Sequence, residues 1–137
     1  MQPARSWLDS VRWLLLAVLL GVVCCQARAS AATKVVTESD KGATVHLRAG
    51  EVLEVRLKSN PSTGFMWYVE PKSTPLLKLA GQSQTEPAGS AVGKPIVQFF
   101  RFQTEKSGDG ILLLHYVRSW EKPAPGEEQF DLRVVVE

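Results

Sequence analysis

The chain has 137 residues, of which 16 are basic and 14 are acidic, and it contains two cysteines. This length is typical of a single domain. The near balance of charge excludes the basic face or stripe with which proteins bind nucleic acids, so we expect no nucleic-acid partner.

The first 29 residues predict a secretory signal peptide. Basic residues precede an apolar run over residues 13–25, and Ala27 and Ala29 supply the small residues that favour cleavage after residue 29. The apolar run is shorter than the roughly 20 residues that a membrane-spanning helix needs. We therefore expect an exported protein, periplasmic or secreted, with no membrane contact after cleavage. An uncleaved anchor is the less favoured alternative.

Both cysteines, Cys24 and Cys25, lie within this predicted signal peptide. Lipid modification of either one is a minor alternative, because Val23 and Gly21 match poorly the residues that usually precede a lipoprotein cysteine. Cleavage leaves residues 30–137 without cysteine, which excludes disulfides, thiolate metal sites and thiol nucleophiles. It also leaves thirteen basic and thirteen acidic residues, so the predicted mature domain carries no net formal charge.

The predicted domain, residues 30–137, reads as a series of short β-strands. The clearest covers residues 51–58, where aliphatic and charged residues alternate with the period of two that is typical of a half-buried antiparallel strand. The segment 81–93 contains three glycines and one proline, and it predicts either a mobile connection or a weak edge strand. The other predicted strands are 34–38, 44–48, 65–69, 96–104, 111–117 and 130–136, with a short apolar piece at 76–79.

These elements predict an all-β fold. Seven or eight short strands, separated by turns rich in glycine and proline and without a sustained helical period, indicate an immunoglobulin-like antiparallel β-sandwich. A partly open barrel is the alternative architecture.

The predicted domain offers few groups for catalysis. Its two histidines, His46 and His115, both lie in predicted strands, and we interpret them as residues satisfied at a sheet face. The sequence contains no Gly-x-Ser-x-Gly elbow, no His-Glu-x-x-His, no P-loop and no EF-hand spacing. We therefore expect neither an enzyme nor a cofactor or metal.

The turn at residues 60–64 is unusually stiff. Pro61 fixes its own φ and keeps Asn60 out of the helical region, while Gly64 provides the positive φ that the end of a turn often needs. Asn60 and Ser62 have side chains that can bond to nearby backbone groups. Because the turn is ordered before it meets a partner, little entropy is lost on binding. Its tip, Ser62 and Thr63, is small enough to enter a narrow cleft.

Two tryptophans stand beside predicted loops. Trp67 begins a strand just after the turn, and Trp120 follows another strand at the start of a loop. Alternate loops of a β-sandwich cluster at one end of the domain, and tryptophan is enriched among interface hot spots. The alternative is that each indole closes one end of the core.

These motifs resemble those of chagasin-type inhibitors of papain-like cysteine peptidases. The first-loop motif of that family is Asn-Pro, then Ser or Thr, then Thr-Gly, then Phe or Tyr, then any residue and Trp; residues 60–67, NPSTGFMW, fit every specified position. The third-loop motif is Arg-Pro-Trp, and this chain has Arg118 and Trp120 with Ser119 in place of proline. The family's middle loop is a tight glycine cluster, whereas residues 89–93, GSAVG, keep two glycines at looser spacing.

The resemblance implies an immunoglobulin-like sandwich that inhibits papain-like, cathepsin L-like peptidases reversibly and tightly by occluding the active-site cleft with three loops. Thr63 would then lie near the catalytic cysteine, Trp120 would pack on the primed side of the cleft, and Arg118 would support the third loop or contact the enzyme. A monomer without cofactor is expected. The expected contact residues are Asn60, Pro61, Ser62, Thr63, Gly64, Phe65 and Trp67 in the first loop, Gly89, Val92 and Gly93 in the middle loop, and Arg118, Ser119 and Trp120 in the third loop.

Two other functions are open alternatives. An extracytoplasmic immunoglobulin-like binding module for a carbohydrate or protein ligand would use Trp67 and Trp120 as platforms, although a sugar site normally also needs polar side chains beside the indoles. A structural or adhesive domain would leave the motif at residues 60–64 without a reason.

Overall fold

The computed structural model describes residues 31–85 and 93–137, and these residues form eight β-strands. The predicted signal peptide lies outside the described residues, as do Gly89 and Val92 of the middle loop. Two short 3-10 helices, Glu38–Asp40 and Pro61–Thr63, stand between strands. The strands are β1 Thr33–Thr37, β2 Thr44–Leu47, β3 Val52–Ser59, β4 Phe65–Val69, β5 Leu77–Gln84, β6 Ile96–Thr104, β7 Gly108–Arg118 and β8 Gln129–Val136.

The strands form two sheets of four, which confirms the predicted β-sandwich. One sheet has the order β1-β3-β6-β5 and the other β2-β8-β7-β4. The predicted apolar piece at 76–79 continues as β5 to Gln84 along the edge of its sheet, with a register shift between Leu79 and Gly81. The first part of segment 81–93 is therefore an edge strand, one of the two predicted alternatives.

The expected antiparallel pairing holds for four of the six strand pairs within the described residues, and the other two pairs are parallel. β1 pairs with β3 and β2 pairs with β8 in parallel, while the other four pairs are antiparallel. β1 and β3 are separated in the chain by β2, which lies in the other sheet. This excursion supplies the long crossover that parallel neighbours need and brings the chain back in its original direction.

The core lies between the inner faces of the two sheets. The alternation predicted for residues 51–58 is confirmed, since Leu53, Val55 and Leu57 are all fully buried. Glu54 faces the other way but is buried as well, because its carboxylate accepts hydrogen bonds from the Nε of Arg101 at 2.8 Å and of Arg56 at 2.7 Å. These guanidinium groups, Arg101 more than Arg56, hold the pKa of the Glu54 carboxyl below its usual value.

Strand direction brings three loops to one end of the sandwich. The antiparallel bridge between Asn60 and Phe65 reverses the chain from β3 to β4, and the ladders then make β3, β5 and β7 point the same way. The first loop (residues 60–64), the middle loop (residues 85–95, of which 85 and 93–95 are described) and the third loop (residues 119–128) follow these three strands. β1 begins and β8 ends at the opposite end of the sandwich.

No helix within residues 31–85 and 93–137 has the length and apolar character to cross a bilayer.

Candidate functional site

The first loop is a single turn of 3-10 helix held by its own hydrogen bonds. The Asn60 carbonyl accepts from the Thr63 N–H at 3.1 Å and from the Thr63 hydroxyl at 2.7 Å. The Gly64 N–H donates to the Pro61 carbonyl at 3.0 Å, and Gly64 has a φ of 81°. The predicted roles of Pro61 and Gly64 in shaping the turn are thereby confirmed.

Asn60 makes one further hydrogen bond within the turn and two to its surroundings. Its side-chain oxygen accepts from the Ser62 hydroxyl at 2.5 Å, and its Nδ2 donates to the Gly93 carbonyl of the middle loop at 3.4 Å. Its backbone N–H donates to the Tyr116 hydroxyl on β7 at 2.9 Å. The asparagine is therefore the joint between the first loop, the middle loop and the sheet.

The tip of the loop presents a small and chemically quiet surface. Pro61, Ser62 and Thr63 are exposed. The Thr63 hydroxyl, which already donates to Asn60, also accepts from the Phe65 N–H at 3.4 Å. Because both hydroxyls are engaged within the loop, the tip offers shape and backbone rather than a reactive group.

Arg118 lies between the first and third loops. Its Nε donates to the Thr63 carbonyl at 3.3 Å, and its Nη1 pairs with Glu121 of the third loop at 3.3 Å. The guanidinium carbon stands 4.5 Å from the centre of the Phe65 ring and 6.0 Å from that of Trp120, so it stacks on both aromatic groups. The two expected roles of Arg118 are support of the third loop and contact with the enzyme. This geometry favours support, because the side chain joins the first loop to the third.

Trp120 extends the exposed surface of the first loop. Its side chain is 72% exposed, so it does not close the end of the core. The indole lies against Gly64 so closely that a Cβ there would be 2.9 Å from Trp120 Cη2. Gly64 is therefore required both for its positive φ and for this contact. The first-loop tip, Ser119 and Trp120 form one exposed surface, which we call the loop surface.

Trp67 does not belong to the loop surface, which corrects its place among the expected contact residues. It is 3% exposed, and its indole N–H donates to the Lys58 carbonyl at 2.8 Å. Its ring packs 4.9 Å from that of Tyr116, which also stacks on the half-buried Phe65 at 5.5 Å. The three aromatic rings form a base under the first loop. Tyr116 was missed in the sequence, although it follows Leu112 and Leu114 at the period of two.

The histidines stand apart from this surface. His115 is buried on β7, and its Nε2 lies 3.3 Å from a carboxylate oxygen of Glu70. Its Nδ1 is buried without a hydrogen-bond partner, so the interpretation of a satisfied histidine holds for one ring nitrogen and is wrong for the other. His46 is exposed beside Glu137. The described residues contain no group of three or more His, Cys, Asp or Glu side chains that could hold a metal ion.

Comparison with known families agrees with the motifs. The family model of the Chagasin family peptidase inhibitor I42 matches residues 46–134, a stretch from β2 to β8 that includes all three loops. Chagasin of Trypanosoma cruzi is 31% identical over 99 residues, which are 69% of this chain and 90% of chagasin. Amoebiasin-2 of Entamoeba histolytica is 33% identical over 94 residues, which are 67% of this chain and 76% of that protein.

Solved structures show the same fold. The cysteine protease inhibitor EhICP2 of Entamoeba histolytica superposes with a TM-score of 0.68 at 26% identity, covering 79% of this chain and 98% of that one. The solution structure of Amebosin gives a TM-score of 0.56 at 26% identity, covering 77% of this chain and 98% of that one.

Proposed function

The chain belongs to the chagasin family of peptidase inhibitors, and from this premise we propose that it is a reversible, tight-binding inhibitor of papain-like cysteine peptidases, cathepsin L-like enzymes included. The observation that carries the proposal is the loop surface. An exposed, internally bonded turn is fixed against an exposed tryptophan by Arg118 and by the contact at Gly64. Membership of this family places the chain among inhibitors and not among enzymes.

Inhibition follows from occlusion of the cleft. The narrow tip formed by residues 61–63 enters the active-site cleft, with Thr63 near the catalytic cysteine. The tip is a 3-10 turn whose carbonyls at Asn60 and Pro61 accept hydrogen bonds within the loop, and the Thr63 carbonyl accepts from Arg118. Since these carbonyls are held in a turn, they do not reach the geometry that a thiolate needs for attack, and the loop resists cleavage.

High affinity follows because the loop surface is already ordered in the free protein. The bonds of Asn60 and Arg118 fix the loop surface in the free protein, so little conformational entropy is lost when the complex forms. Trp120 provides the large, exposed aromatic anchor that is typical of an interface hot spot. We expect a standard interface of about 1,600 Å² in total, with Trp120 on the primed side of the cleft.

In this proposal the middle loop contacts the peptidase beside the first loop. Gly93, at a φ of 90°, accepts a hydrogen bond from Asn60 and so lies beside the first loop. The proposal also assigns Gly89 and Val92, which lie outside the described residues, to the peptidase-binding residues of the middle loop.

We also propose that the chain is exported to the periplasm or the outside after cleavage behind Ala29. The first described strand, β1, begins at the end of the sandwich opposite the three loops. The mass of the exported protein tests this step, because a chain that begins at Ser30 is expected. Retention of the first 29 residues, or a lipid on Cys24 or Cys25, would contradict it.

The direct test is titration of papain and of a cathepsin L-like peptidase with the processed protein. We expect stoichiometric inhibition, recovery of peptidase activity on dilution, and an inhibitor of unchanged mass after long incubation. Full peptidase activity at micromolar protein, or release of fragments cut within residues 60–64, would refute the proposal. The carbohydrate-module alternative loses its support, because the burial of Trp67 leaves Trp120 without a second exposed indole in the described part of the loop surface.

A further inference from the structure

β6 carries one amide among the side chains that face the core. Its inward-facing positions alternate along the strand, and Gln98 stands between Ile96 and Phe100. The residue is only 1% exposed. Because a buried amide is strongly unfavourable unless it is hydrogen-bonded, its partners indicate why a glutamine occupies this position.

The Gln98 side chain bonds to the backbone of Trp67 in the opposite sheet. Its Oε1 accepts from the Trp67 N–H at 2.9 Å, and its Nε2 donates to the Trp67 carbonyl at 3.4 Å. β4 is an edge strand, so these two backbone groups face away from β7 and would otherwise have no strand beside them. The amide provides the donor and the acceptor that a neighbouring strand would provide.

Trp67 in turn holds both strands that flank the first loop. It lies on β4, three residues after Gly64, and its indole N–H donates to the carbonyl of Lys58 on β3 at 2.8 Å. Gln98 therefore fixes to the other sheet a residue that joins the strand before the loop to the strand after it.

We propose that Gln98 is a positioning residue for inhibition, which sets the direction of the first loop without contacting the peptidase. This inference rests on the proposed function. Without the amide, the backbone of Trp67 loses its two hydrogen bonds to the opposite sheet, and Trp67 keeps its indole bond to Lys58 of that sheet. The first loop then samples directions of which few fit the cleft. The order lost in the free inhibitor then has to be restored on binding, which weakens affinity.

The test compares two variants of the processed protein. Gln98→Met keeps the length of the side chain and removes both hydrogen bonds. Val134→Ala is the matched control, because it truncates another fully buried side chain, on β8 toward the opposite end of the sandwich. We expect Gln98→Met to raise the inhibition constant for papain about tenfold or more. Val134→Ala is expected to inhibit as the wild type does, even where its melting temperature is lower.

Wild-type inhibition by folded Gln98→Met overturns the proposal, as does an equal loss in both variants, which would reflect general destabilisation. If Gln98→Met does not fold, amide exchange of the wild-type protein decides. Protection of the Trp67 amide comparable with that of amides between β7 and β8 supports the proposal, and exchange at the rate of an open edge overturns it. A wild type that leaves papain active refutes the proposed function, while Trp67 exchange still shows whether Gln98 fixes β4.

Discussion

Replacing Gly64 with alanine tests whether the contact between the first and third loops is needed for inhibition. Gly64 has a φ of 81°, where an alanine costs about 1–2 kcal/mol. This strain lowers the melting temperature of a domain of this size by roughly 4–8 °C per kcal/mol. The new Cβ would also stand 2.9 Å from Trp120 Cη2, inside ordinary contact distance, so the indole has to move by about 0.5–1 Å.

This displacement affects binding more than folding. Trp120 is largely exposed and its movement leaves the core intact, but a shifted hot-spot residue loses on the order of 2 kcal/mol of binding free energy, or about 30-fold in affinity. Gly50→Ala is the matched control, because Gly50 has a φ of 87° and no atom within 4 Å of an added Cβ, and it precedes β3 at the opposite end.

The assay is inhibition of papain at 25 °C together with thermal unfolding of both variants. We expect similar falls in melting temperature, since the backbone strain is shared, and a loss of inhibition in Gly64→Ala alone. Equal inhibition by the two variants would refute the role of the contact. An equal loss in both would show that strain and not the position of Trp120 controls binding.

Three further predictions concern single side chains. Trp120→Ala should weaken inhibition by about 2–4 kcal/mol, or 30- to 1,000-fold, with little change in melting temperature; unchanged inhibition would remove Trp120 from the interface. Thr63→Glu should weaken papain inhibition at least 100-fold, because it places a bulky charge at the tip. Loss of the hydroxyl bond to Asn60 should lower stability by only about 1 kcal/mol. A variant that inhibits papain at the same concentrations as the wild type would exclude Thr63 from the cleft. Glu54→Gln should lower the free energy of unfolding at pH 7 by about 1–3 kcal/mol and leave inhibition unchanged. The folded-state pKa of Glu54 is lowered by Arg101 and Arg56, so its contribution to stability is present above the unfolded-state pKa and is lost as pH falls through the folded-state pKa. Urea unfolding should therefore show a smaller difference in unfolding free energy between variant and wild type at pH 3 than at pH 7. An equal difference at the two pH values would contradict the stabilising role of the ion pairs.

The strands were predictable from the sequence because burial of one face of a strand requires a hydrophobic residue at every second position. Residues 51–58 show this most clearly, and the structure follows that alternation. The parallel pairing of β1 with β3 was not predictable in the same way. Alternation specifies which face of a strand is buried, but it carries no information about the direction of the neighbouring strand.

The loop surface was predictable only in part. The stiffness of the turn follows from Pro61 and Gly64, since these residues restrict or extend backbone freedom wherever they stand. The cation–π contacts of Arg118 with Phe65 and Trp120 depend on loops that are distant in the chain, and no local pattern encodes them. Trp67 is different, because its burial follows from the alternation that already turns Phe65 inward.

Gln98 shows how the alternation itself can indicate a support residue. Positions 96, 100 and 102 of β6 are apolar and face the core, so an amide at 98 breaks the pattern at a buried position. An amide at a buried position is unfavourable unless it forms hydrogen bonds with backbone groups that have no other partner. Such backbone groups occur on an edge strand that faces the opposite sheet. In this fold the edge strand concerned is β4, which begins directly after the first loop. The buried amide of Gln98 thus lies where the loop surface needs a rigid base.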